Sequence, residues 1–147
     1  VYVKPDKSYA QKKDNNMLML PVTMLTAGVC GVLAVFMALR VVLARTKHGI
    51  SLGDGGNPDA LIRIRIHANF IENVPLILIL MSLIESATGA SLWLKLAGVL
   101  LIVFRICHFI GLPRRAPNPF RLVGAAGTFT LTLSLSITLI CLAITHV

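Results

Sequence analysis

Arg65, Asn69 and Glu72 stand in one largely apolar stretch of the chain, Arg105 and His108 in the next, and Arg121 near the start of a third. On a helix turning 100° per residue, Arg65, Asn69 and Glu72 fall within about 60° of one another, whereas Arg63 and His67 lie almost opposite. Two polar faces call for two different neighbours. Arg65 and Glu72 are about 10.5 Å apart along the axis, too far to neutralise each other directly, so each needs an outside partner. Arg105 and His108, three positions apart, share a face of their own helix. Arg121 follows Asn118-Pro119, so it belongs to a first helical turn, whose free N–H groups and dipole favour an anion. Arginines for negative groups and a carboxylate for a positive one together describe a small zwitterionic ligand.

The elements that must carry these residues follow from composition. Of 147 residues, 56% are hydrophobic and 14% charged, which leaves little room for a water-soluble domain. At about 20 apolar residues per crossing, the chain has length for four membrane spans and short links, and no more. We place the spans at residues 18–44, 59–84, 92–112 and 119–147, after a polar tail or added remnant at 1–16. The fold class expected is all-α: an integral-membrane four-helix bundle. Asn57-Pro58-Asp59 and Asn118-Pro119 each supply a cap followed by a first-turn proline. Pro75 sits where span two changes from mixed to apolar and can kink it. Thr128 to Ser136 alternate hydroxyl-bearing and apolar residues with period two, but a lone strand in lipid leaves its backbone unpaired, so a helix is expected, with hydroxyls bonded back to it. Four spans put both termini on one side and the links bearing Arg45/Lys47 and Arg114/Arg115 on the other; the positive-inside tendency favours the cytoplasm for those links, whereas Lys4, Lys7, Lys12 and Lys13 of the tail argue for the opposite orientation.

At membrane depth, ionisable groups are costly, so the stretch from Arg65 to Glu72 is a functional-site candidate by default. Structural alternatives stand beside that reading. Arg63 or Arg65 could snorkel to headgroups; Glu72 could pair with Arg40 of span one; Arg105 and His108 could serve packing; and Arg114 and Arg115 suit headgroup contacts. The net charge of +8 comes with no aromatic-basic platform, so no nucleic-acid partner is expected. His48, His67, His108 and His146 lack zinc-like spacing, and no metal is expected. Cys30, Cys107, Cys141 and the methionines read as core residues.

The string Arg65-Ile66-His67-Ala68-Asn69-Phe70-Ile71-Glu72-Asn73-Val74-Pro75 resembles the second-helix Arg-x-x-x-Asn-x-x-Glu-x-x-Pro segment of the MAPEG family, the membrane-associated proteins of eicosanoid and glutathione metabolism. Arg105-Ile106-Cys107-His108 is similar to the family's third-helix Arg-x-x-His variant, and Arg121 lies where its catalytic arginine falls. The resemblance implies a homotrimer of four-helix protomers binding glutathione as co-substrate between neighbours. It further implies that Arg65, Asn69, Glu72, His108 and Arg40 hold glutathione, that Arg121 is catalytic, and that a hydrophobic or lipid-like second substrate arrives from the membrane lipids. A bacterial member would lie in the inner membrane. Leu112 and Leu122 occupy positions where relatives carry a tyrosine and a serine, and Ala60-Leu61-Ile62 replaces a common Phe-Glu-Arg. These departures point from prostaglandin and leukotriene synthesis towards a general glutathione transferase or peroxidase. A non-catalytic lipid-binding or scaffold protein of the same fold is the alternative, and a small transporter or channel subunit a third possibility.

Overall fold

The computed structural model describes residues 19–145; the tail at 1–16 and His146 lie outside the described residues. Four helices follow one another: α1 Pro21–His48, α2 Pro58–Thr88, α3 Leu92–Gly111 and α4 Pro119–Thr145. Even the shortest, at 20 residues, is about 30 Å long and matches the hydrocarbon layer. The other three exceed it, so they tilt or project beyond it.

Local chemistry explains where each helix starts and stops. Asn57 accepts hydrogen bonds from the Asp59 and Ala60 amides at 3.0 and 3.1 Å ahead of Pro58 at the first position of α2. Ser91 caps α3 through the Leu94 amide at 3.2 Å, and Asn118 caps α4 through the Arg121 amide at 3.2 Å. Gly49, at φ 64°, ends α1 in the left-handed conformation that glycine adopts without a Cβ clash. Helix α2 continues past Ile84 to Thr88, where the Ser86 and Thr88 hydroxyls bond back to the carbonyls of Leu83 and Ile84. It also runs unbroken through Pro75.

The period-two stretch is helical for the reason anticipated. Thr128, Thr132, Ser134 and Thr138 each donate a hydroxyl to the carbonyl four residues back, at 2.7 to 2.9 Å. Each hydroxyl then costs little to place in an apolar medium.

Helix α4 packs chiefly on α3, and α1 chiefly on α2. The core lies at the centre of these four, with Ile77, Met81, Leu94, Leu101 and Leu135 fully enclosed. Elsewhere the helices turn large apolar side chains outward: Leu25 is 73% exposed and Ile144 71%. Such surfaces suit acyl chains, not water. The same solvent accounts for two corrections. Cys141 is exposed and Met24 faces outward, against the expectation that every cysteine and methionine is a core residue; lipid accepts such side chains as readily as a core does. Cys30 and Met37 are buried as expected.

One buried acid ties the end of α2 to the start of α1. Helix α1 has no side-chain cap of its own at Leu20. Glu85, from the far end of α2, supplies one, accepting the Val22 and Thr23 amides at 2.9 and 2.8 Å. The Met24 amide is taken by the Leu20 carbonyl at 2.8 Å, and Pro21 has no N–H, so the first turn has no orphan backbone donor.

Candidate functional site

Helix α2 brings Arg65 and Asn69 to the same face, and α3 and α4 approach that face where one ends and the other begins. The approach is unusually close because two glycines leave out a side chain. A Cβ on Gly124 would stand 2.5 Å from the His108 amide nitrogen, and one on Gly111 would collide with the Arg121 backbone. Asn118 adds a tie, its amide group donating to the Gly111 carbonyl at 2.8 Å. His108 and Arg121 are thereby held side by side.

The result is a cavity of about 290 Å³ lined by Leu61, Ile62, Arg65, Asn69, His108, Leu112 and Arg121. Four of the residues singled out in the sequence meet here from three helices. Two cations and no acid line it, so an entering anion meets attraction and no fixed repulsion. His108 is buried, whereas Arg65 and Arg121 are exposed.

Glu72 and Arg40 do not line this cavity. Glu72 lies exposed one turn further along α2. Arg40 rests its guanidinium over the Phe109 ring at 4.8 Å and near Phe36 at 5.9 Å, beside Met37, Arg63 and Ile66. No ion pair joins it to Glu72 among the described residues; the pair that does form there is Arg63 with Asp59 at 3.0 Å, one turn apart on α2. Arg63 is thus occupied by its own helix. Arg114 stacks on Phe120 at 4.7 Å.

Arg105 holds a position that sequence spacing did not reveal. It shares a face with His108 but does not reach the cavity: it is 3% exposed and bonds to Asn69, to the Gly124 carbonyl and to the Thr128 hydroxyl. Gly111 and Gly124 were likewise invisible as site residues, although a glycine inside an apolar span is a signal of close backbone approach. Glu85 gave a signal too: a lone acid at the end of a membrane helix needs a partner.

Four long apolar helices define a multi-pass integral membrane protein, with a cationic cleft walled by three of them. The sequence pattern of the MAPEG family matches residues 23–141, and the chain belongs to that family. Among similar proteins is the inner membrane protein YecN of Escherichia coli K12, 32% identical over 95 residues, which are 64% of this chain and 72% of that protein. The protein of the same name from Escherichia coli O6:H1 matches to the same extent. The family ties the chain to glutathione and eicosanoid metabolism in membranes.

Proposed function

We propose that this protein is a membrane glutathione transferase or peroxidase that uses the bound thiolate against hydrophobic electrophiles. The observation that carries the reading is the convergence of Arg65, Asn69, His108 and Arg121 on one acid-free cavity. Glutathione offers two carboxylates for arginines, amides for Asn69 and His108, and a thiol. A free thiol near pKa 8.5 is mostly protonated at neutral pH, and a neighbouring guanidinium favours its anion. In this reading Arg121 is the catalytic residue: it stabilises the thiolate, which attacks the electrophilic carbon as the leaving group departs. Arg65 holds a carboxylate through paired N–H donors.

Glu72, which can accept the glutathione ammonium, and Arg40, which can take the second carboxylate, stand outside the cavity of the single chain. In a homotrimer with glutathione between protomers they would complete the site from its open side. The second substrate would enter from the lipid, past the apolar flanks of the helices.

Titration of glutathione into the detergent-purified protein tests this, with Arg121→Ala and Glu72→Gln alongside. Saturable heat, weakened by Glu72→Gln, is expected; no saturable heat in any detergent or lipid overturns it. A non-catalytic lipid-binding protein is the second reading, favoured by a largely apolar groove of about 540 Å³ between α1 and α3 in which Lys95 is the one charged lining residue. Retention of a lipid in native mass spectrometry with no turnover of an aryl halide would select it.

A further inference from the structure

We infer that Arg105 is a positioning residue that sets the polarity of the site, orienting the Asn69 amide so that its N–H donors are left for a ligand in the cavity. A guanidinium only donates. Its Nη1 gives a hydrogen bond of 2.8 Å to Asn69 Oδ1, so the carboxamide oxygen is engaged from below and the orientation of the amide follows. Asn69 Nδ2 makes no hydrogen bond among the described residues, while Asn69 lines the cavity. What it presents to a ligand is therefore two N–H groups. The ligand group that meets Nδ2 is then an acceptor: a carbonyl, a carboxylate or a thiolate.

The other end of Arg105 fixes the opposite wall. Nη2 donates to the Gly124 carbonyl at 2.9 Å and to the Thr128 hydroxyl, and that hydroxyl itself donates to the Gly124 carbonyl at 2.7 Å. Gly124 is one turn after Arg121 and lies against the His108 backbone. One side chain from α3 thus ties Asn69 of α2 to the turn of α4 that carries Arg121. Joining three helices needs no charge; a neutral amide or plain apolar packing would do so at lower desolvation cost. A buried cation is useful here because it cannot accept, and so leaves Asn69 no other orientation.

That the ligand is glutathione rests on the function proposed above, but the clamp does not, and the experiment separates them. In full-length detergent-purified protein labelled with ¹⁵N-asparagine, the Asn69 side-chain amide resonance is expected to shift and broaden in Arg105→Gln while the other asparagine amides stay in place. An unchanged Asn69 resonance overturns the clamp whatever the protein binds.

Glutathione titrations of Arg105→Gln, Asn69→Ala and the double variant then form a cycle. If Arg105 acts through Asn69, each single change weakens binding about tenfold and the double is no worse than Asn69→Ala alone. Full additivity overturns the proposal. Asn69→Asp keeps an acceptor for Arg105, so it tests the polarity even if Arg105→Gln fails to fold. It is expected to retain the fold and lose glutathione binding by more than about tenfold, and wild-type affinity in it also overturns the proposal. If wild-type protein takes up no glutathione while the resonance shifts as stated, the functional reading falls and the clamp stands.

Discussion

Gly124 lies so close to His108 that a Cβ at that position would stand 2.5 Å from the His108 amide nitrogen and 2.7 Å from its Cα. Backbone cannot yield as a flexible side chain would, so Gly124→Ala must push α4 away from α3. That movement lengthens the Arg105 bond to the Gly124 carbonyl and separates His108 from Arg121. We expect a loss of about 1–3 kcal/mol of stability, read as a lower midpoint of thermal unfolding in detergent, together with weakened glutathione binding. An Ala variant as stable as the wild type would mean that the two helices do not approach in this way.

The buried Glu85 carboxylate is the acceptor for two amides of the α1 first turn. Glu85→Gln keeps one acceptor, replaces the other with a donor that faces N–H groups, and removes the negative charge from the positive end of the helix dipole. A cost of about 1–3 kcal/mol follows from the amide left unsatisfied. Hydrogen exchange should quicken at Val22 and Thr23 while the amides at the start of α4 keep their protection. Equal protection in both proteins would exclude the cap.

Arg121 makes its contact with Asn118 through the backbone amide, and its exposed side chain can be removed without opening the core. Under the proposed function, Arg121→Ala should lower turnover of an aryl halide by about a hundredfold or more, the usual scale for losing one group that stabilises a developing or reacting anion. Circular dichroism and the thermal midpoint should stay where they were. Retained turnover would remove Arg121 from the chemistry.

Arg63 and Arg65 test which face of α2 does the work. Arg63 is engaged by Asp59 in an exposed pair one turn away, and such pairs contribute little. Arg65 lines the cavity. Arg63→Ala should leave glutathione affinity and thermal midpoint unchanged, whereas Arg65→Ala should weaken binding about tenfold or more, since it removes a charge-assisted bond to a carboxylate. The reverse result would move the site to the opposite face.

Much was settled by local chemistry and composition. Long uncharged runs can only be membrane helices when no soluble core is on offer, and Asn57-Pro58 and Asn118-Pro119 mark helix starts wherever those helices go. The alternation from Thr128 to Ser136 resolves to helix because hydroxyls there, those of Thr128, Thr132 and Ser134, find the carbonyl four residues back. The period of α2 likewise put Arg65 and Asn69 on one face, apart from Arg63. Tertiary structure decided what those faces meet. Arg105 and His108 share a face by spacing, yet His108 lines the cavity, whereas Arg105 is buried against Asn69 of α2 and Gly124 and Thr128 of α4. Glu85 acquires its partners only because α2 runs antiparallel to α1 and returns its last turn to Val22 and Thr23, more than sixty residues back in the chain. Periodicity reports which way a side chain points from its own axis, whereas the identity of its partner depends on the distance and register of another helix, and those come from packing.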